Sequence, residues 1–76
     1  MADWQLTCVM TAVSEHANRS GDYYVYRKGK NYRIDPPSGT HRLCHPSVLS
    51  EDAVKNEIYT VFQAKVTKIT PSSLLR

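Results

Sequence analysis

The chain has 76 residues and a net charge of +3, from ten Lys and Arg against seven Asp and Glu. Its mass of 8.6 kDa suffices for one domain and excludes a two-lobed enzyme. No apolar run reaches the roughly 18–20 residues of a membrane-spanning helix, and two cysteines cannot form a disulfide-dense scaffold. We therefore predict one small domain over residues 1–76, with residues 71–76 as a flexible tail and no membrane contact.

The first residues lack the basic region and the long apolar stretch of a signal peptide, which favours a cytoplasmic protein. In that compartment the two cysteines, Cys8 and Cys44, are expected to be reduced. A disulfide between Cys8 and Cys44, or a reactive thiol, is the alternative.

Residues 4–13 alternate with a period of two, which predicts a strand with one apolar face. That face is predicted to hold Trp4, Leu6, Cys8 and Met10. Residues 14–22 are polar and end in a Ser-Gly-Asp turn signal, so they are predicted to form a loop.

Residues 23–35 have the pattern of a β-hairpin, because aromatic and β-branched residues flank a short turn that contains Gly29. A two-residue turn sets the register of such a hairpin. One face would then hold Tyr23, Val25, Tyr32 and Ile34, and we expect it to join the core. The other face would be aromatic and cationic, with Tyr24, Tyr26 and Arg33 on it and Lys28 and Lys30 near the tip.

The prolines at 36 and 37 end the hairpin, since proline cannot donate a hydrogen bond to a sheet. Residues 40–46 are compatible with either a short edge strand or an irregular turn. The sequence alone leaves both open.

A helix is predicted over residues 51–62, with Ser50 as its N-cap and a hydrophobic staple between Leu49 and Val54. Its apolar stripe is predicted to contain Val54, Ile58, Val61 and Phe62. Beyond it, residues 64–70 are rich in β-branched residues, which favours a last strand. The alternative is that the helix continues to Ile69 and stops before Pro71.

These elements predict an α+β domain: a small antiparallel β-sheet of three to four strands, including a central hairpin, with one α-helix packed on one face. The other face of the sheet would then meet solvent or a partner. That face is where we look for function.

The candidate partner-binding surface is the basic, tyrosine-rich face of the hairpin, made of Tyr24, Tyr26, Arg27, Lys28, Lys30 and Arg33. Cations beside aromatic rings suit a nucleic acid, whose phosphates they neutralise and whose bases stack on the rings. Tyrosine and arginine are also enriched at protein–protein hot spots. A purely structural interpretation also exists, because lysines at a hairpin tip protect a sheet edge and tyrosines favour strands.

A second group of residues, His41-Arg42-Leu43-Cys44-His45, contains ligand types that zinc prefers. It lacks the paired cysteines of a structural zinc site, so we predict neither a metal nor a cofactor. His41 and His45 beside arginines are also compatible with a small ribonuclease, in which a histidine transfers protons.

The sequence favours a non-enzymatic binding module with a macromolecular partner and no small-molecule substrate. A protein partner is slightly favoured, as for a phage or bacterial accessory protein that acts as an inhibitor or adaptor on a host enzyme or a nucleic-acid-processing machine. One alternative is a regulatory protein that binds nucleic acid directly. Another is a ribonuclease toxin that uses His41 and His45.

Overall fold

The computed structural model describes residues 3–39, 43–45 and 50–75, the short middle range by its backbone only. The described strands are β1 (Gln5–Ser14), β2 (Gly21–Lys28), β3 (Asn31–Asp35), β4 (Leu43–His45) and β5 (Ala64–Pro71), and the helix is α1 (Glu51–Phe62). The strands form one antiparallel sheet in the order β4-β3-β2-β1-β5, and α1 packs on one of its faces. The predicted α+β class is confirmed. The strand count is five, because the three-residue β4 adds an edge to four longer strands.

The hairpin of β2 and β3 has the predicted two-residue turn, with Val25 opposite Ile34. Gly29 has a φ of +60° and Lys30 has no positive φ, which is the pattern of a type II′ turn. The face predicted to join the core is confirmed, since all four of its residues are buried: Tyr23, Val25, Tyr32 and Ile34.

Helix α1 begins where its cap predicts, because the Ser50 hydroxyl oxygen accepts a hydrogen bond from the Ala53 amide at 3.2 Å. It ends at Phe62, and Gln63 adopts the left-handed conformation with a φ of +53°. That reversal makes residues 64–71 a strand, so the alternative of a helix to Ile69 is wrong. Leu49 of the predicted staple lies outside the described residues.

The helix buries Val54, Ile58 and Phe62, but the predicted fourth member of its stripe, Val61, is 36% exposed. The three buried residues are spaced by four and define one line along the helix. At 3.6 residues per turn, Val61 lies about 60° from the centre of that line. It therefore faces away from the centre of the contact with the sheet.

Strand β1 contains a β-bulge that the sequence pattern does not reveal. Leu6 pairs with Tyr26, and the next paired residue, Cys8, pairs with Val25, so Thr7 is the extra residue. The Thr7 hydroxyl donates to the Val25 carbonyl at 3.0 Å. The bulge places Leu6 on the face of the sheet opposite α1, which we call the distal face, while Cys8 packs in the core. The prediction of a single apolar face is therefore wrong for the first part of the strand.

The connection between β1 and β2 is a polar loop, as predicted, with a 3-10 turn at Ala17–Arg19. The Ser20 hydroxyl closes this loop, because it accepts from the Ser14 amide at 2.8 Å and donates to the Ser14 carbonyl at 3.0 Å. The buried hydroxyl of Tyr23 donates to the Arg19 carbonyl, and its ring packs on Phe62 at a centroid distance of 5.2 Å. The loop is thus attached to the core.

Candidate binding surface

The distal face carries an aromatic cluster around one arginine. Antiparallel pairing sets its rows, because residues opposite each other share a face. The cluster consists of Trp4, Leu6, Val9, Tyr24, Tyr26, Arg33 and Asp35. Tyr24 is its most exposed ring at 41%, whereas Val9 is buried.

Arg33 lies against both neighbouring rings of this cluster. Its guanidinium carbon is 5.1 Å from the centroid of Trp4 and 4.5 Å from the centroid of Tyr26. Both distances fall within the roughly 6 Å range of a cation–π contact, which contributes about 0.5–1 kcal/mol at an exposed site. The two rings and the guanidinium therefore hold one another in place.

Asp35 completes the cluster by pairing with the same arginine. The Arg33 Nε atom is 2.8 Å from Asp35 Oδ1 in an ion pair that lacks hydrogen-bond geometry, and Nη2 donates to Oδ2 at 3.1 Å. The two side chains are 18% and 19% exposed, so water screens this pair less than one on the surface. The positive charge of Arg33 is thus largely compensated.

The register of the hairpin places the six residues of the predicted binding surface at different locations, not on one face. Tyr24, Tyr26 and Arg33 share the distal face as expected, and strand alternation places Lys28 there as well. Arg27 lies opposite Tyr32, on the helix side of the sheet, and its Nε donates to the Gly29 carbonyl at 3.0 Å. We therefore remove Arg27 from the distal surface. Lys30 is in the turn itself and is exposed.

Four members of the aromatic cluster are absent from the surface that the sequence predicts: Trp4, Leu6, Val9 and Asp35. Strand alternation predicts Trp4 and Leu6 on the same face as Cys8 and Met10, and the bulge at Thr7 moves them to the distal face. Asp35 had a usable signal, since it lies two residues beyond Arg33 on the same strand and alternation places both on one face.

The thiol of Cys8 lies in the core beside a cavity of about 180 Å³ between β1, β5 and the start of α1. It is free, so the alternative of a disulfide with Cys44 is wrong. Burial raises its pKa above the ordinary value of 9.0, and the nearby Glu51 carboxylate raises it further against a lowering hydrogen bond from Thr7. At neutral pH the group is a thiol and a poor nucleophile.

The histidines of the alternative ribonuclease are not placed by the structure. His41 lies outside the described residues, and only the backbone of His45 is described. Among the described residues, no three His, Cys, Asp or Glu side chains come together as a metal site would require. The part of the chain that the structure describes also contains no helix of sufficient length and apolarity to cross a membrane.

Comparison of the chain with protein-family models, with curated proteins and with solved structures found no match.

Proposed function

We propose that this protein is a non-enzymatic binding module that docks a protein partner through the aromatic cluster of its distal face. The observation that carries the proposal is Arg33, held between two aromatic rings and paired with a carboxylate. Trp, Tyr and Arg are the side chains most enriched at interface hot spots. Because these side chains already fix one another, little conformational entropy remains to be lost on docking.

The charge around the cluster suggests the chemistry of the partner. Lys28 and Lys30 lie at the hairpin tip, and Lys68 of β5 lies across Thr11 on the distal face. All three lysines are exposed. An apolar, aromatic centre with cations at its rim fits a partner whose contact surface is apolar in the centre and acidic around it. Such rim charges increase the association rate more than the affinity.

A protein suits this surface better than a nucleic acid. The carboxylate of Asp35 lies within 2.8 Å of the arginine that would otherwise contact a phosphate. One side of both the Trp4 ring and the Tyr26 ring already contacts the guanidinium, which limits stacking on unpaired bases. An accessory protein that acts as an inhibitor or adaptor needs one rigid face of this kind and no catalytic group.

The test begins with capture of partners by the immobilised protein and continues with titration of the captured protein. We expect Tyr24→Ala to weaken the complex by at least about tenfold, as truncation of a hot-spot aromatic residue does. Tyr59→Ala is the matched control, because Tyr59 is an exposed tyrosine (63%) on α1 rather than on the distal face. Equal affinity of the Tyr24→Ala variant and the wild type would overturn the proposal.

Asp35→Asn separates the two classes of partner. It removes the carboxylate that orients and neutralises Arg33, so it should weaken a protein complex. The same change should strengthen binding to an oligonucleotide, because it frees a cation. Fluorescence anisotropy with single- and double-stranded oligonucleotides at several salt concentrations measures the second effect. Micromolar binding that falls steeply with salt and tightens in Asp35→Asn would assign the surface to nucleic acid.

A further inference from the structure

The second feature with functional meaning is the edge of the sheet formed by β5. This strand pairs with β1 along one side, and no strand in the described part of the chain pairs along the other. It is eight residues long, whereas β4 at the opposite edge has three. A long edge with unpaired backbone groups is a template for another strand.

The side chains of β5 have a two-fold symmetric arrangement. Val66 and Ile69 lie opposite Ala12 and Met10 and pack against the core, on the helix side. Lys65 and Lys68 lie on the distal face, by pairing with Val13 and Thr11. A bulge adds Thr67 beside Lys68, and the Thr67 hydroxyl donates to the Thr11 carbonyl at 3.3 Å.

The two residues of such a bulge oppose one residue of the partner strand, so we assign Thr67 to the face of Lys68. The order of faces from Ala64 to Pro71 is then the same from either end: helix, distal, helix, distal, distal, helix, distal, helix. A strand whose pattern is its own reverse can pair antiparallel with an identical strand so that every facing pair shares a face. This self-complementarity is what a two-fold interface requires. A regular strand can also pair in this way, but about an axis through one residue, which then faces its own copy; the bulge places the axis between two residues.

We propose that the chain dimerises by antiparallel pairing of β5 with β5 of a second copy, about an axis between Thr67 and Lys68. Val66 then faces the partner's Ile69 on the helix side, and this pairing buries the exposed remainder of both side chains. On the distal face Lys65 meets the partner's Thr70, and Lys68 meets the partner's Thr67. No lysine faces a lysine. The two sheets become one, with both helices on the same side.

The neighbouring registers do not fit both faces. A shift of two residues in one direction places Val66 against the partner's Thr67 and Lys65 against the partner's Lys68. A shift in the other direction places Lys68 against the partner's Ile69. Each shift sets an apolar residue against a residue of the other face. Like charges directly opposite each other also destabilise a strand pair.

The first test changes the charge opposite Lys68. Thr67→Glu creates two ion pairs in the dimer, and Thr67→Lys creates two repulsive pairs, while both lose the same hydroxyl. At the usual strength of a cross-strand pair, we expect Thr67→Glu to tighten dimerisation by roughly 2- to 30-fold and Thr67→Lys to weaken it by a similar factor. Asn31→Glu and Asn31→Lys are matched controls at the hairpin tip, three strands away from β5. Sedimentation velocity over a range of concentrations measures the equilibrium.

The proposal is overturned if the wild type and Thr67→Glu both stay monomeric to about 1 mM, a weak limit for association. It is also overturned if the two Thr67 variants shift the equilibrium in the same direction, or if the Asn31 variants reproduce their effects.

The second test fixes the register with disulfides, in a background with Cys44→Ser. Residues directly opposite in a strand pair have Cα atoms roughly 4.5–5.5 Å apart, which a disulfide can span. Lys65→Cys and Thr70→Cys variants should cross-link when mixed and oxidised. Either variant alone should not, because its two identical thiols would lie about 16 Å apart along the strands. Equal cross-linking in the mixture and in the separate variants would refute the register.

Discussion

The end of α1 depends on a glutamine in a conformation that favours glycine, and this can be tested on the folded protein alone. Gln63 has a φ of +53°, its amide donates to the Tyr59 carbonyl at 2.9 Å, and its Nε2 donates to the Thr60 carbonyl at 3.1 Å. Its Oε1 accepts from Arg19 Nη1 at 2.6 Å, which brings a cation to the negative end of the helix. The side chain thus stabilises a helix end that its own backbone conformation strains.

Gln63→Ala and Gln63→Gly separate these two effects, because both remove the side-chain hydrogen bonds and only glycine removes the strain. Loss of two exposed hydrogen bonds should destabilise the Ala variant by about 1 kcal/mol. The left-handed conformation costs a non-glycine residue about 1 kcal/mol as well, so the Gly variant should lie close to the wild type. A difference of about 1 kcal/mol corresponds to roughly 4–8 °C in the Tm of a domain of this size.

Thermal unfolding followed by circular dichroism, with urea titrations to compare slopes, measures the order of the three proteins. Arg19→Ala should destabilise the wild type and leave the stability of Gln63→Ala nearly unchanged, because its partner is already absent. Ala and Gly variants of equal stability would refute the assignment of Gln63 as a strained cap.

Three further predictions concern the core, the turn and pH. Ile58→Ala should cost about 2–5 kcal/mol, because the side chain is fully buried, whereas Val61→Ala should cost less than about 1 kcal/mol; equal losses in urea unfolding would contradict the orientation of α1. Gly29→Ala should cost about 1–3 kcal/mol through its positive φ alone, because no atom other than those of its chain neighbours lies within 4 Å of the added Cβ; an unchanged Tm would contradict the type II′ turn. Burial raises the pKa of Tyr23 above the ordinary 10.0, despite the lowering effect of Arg19, so the neutral phenol is favoured on folding. The stabilisation that comes from this raised pKa is complete below pH 10 and is lost as the pH rises through the folded-state pKa of Tyr23. The free energy of unfolding of Tyr23→Phe should therefore fall less steeply above pH 10 than that of the wild type.

The helix and the hairpin could be predicted because their signals are local. Ser50 with acidic residues after it marks the start of α1, and Gly29 between aromatic strands marks the turn. The end of the helix was harder, because the chain uses Gln63 where glycine is usual, and only the β-branched residues beyond it favoured a strand.

The candidate site could be predicted only in part, because its assembly depends on contacts between distant residues. Tyr24, Tyr26 and Arg33 follow from the hairpin register. Trp4 lies beside them because a bulge in β1 places it on the distal face. No residue type in β1 predicts that bulge. Composition also overstates the charge of the surface, because Asp35 pairs with Arg33 and neutralises a cation that composition counts as available.

The bulge at Thr7 divides the apolar residues of β1 between the two faces of the sheet. Trp4 and Leu6 before it lie on the distal face, and Cys8 and Met10 after it lie in the core, although alternation alone would place all four on one side. If Thr7 instead took a regular place in the ladder, the two sides would exchange for everything that precedes it: Trp4 and Leu6 would turn toward the helix, and Gln5 would take their place outside. Loss of the bulge would thus remove the aromatic surface while the interior from Cys8 onward kept its residues, whereas deletion of Thr7 would keep Leu6 opposite Tyr26. Substitutions at Trp4 and Leu6, in contrast, can change the aromatic surface one side chain at a time, because neither side chain belongs to the hydrophobic core.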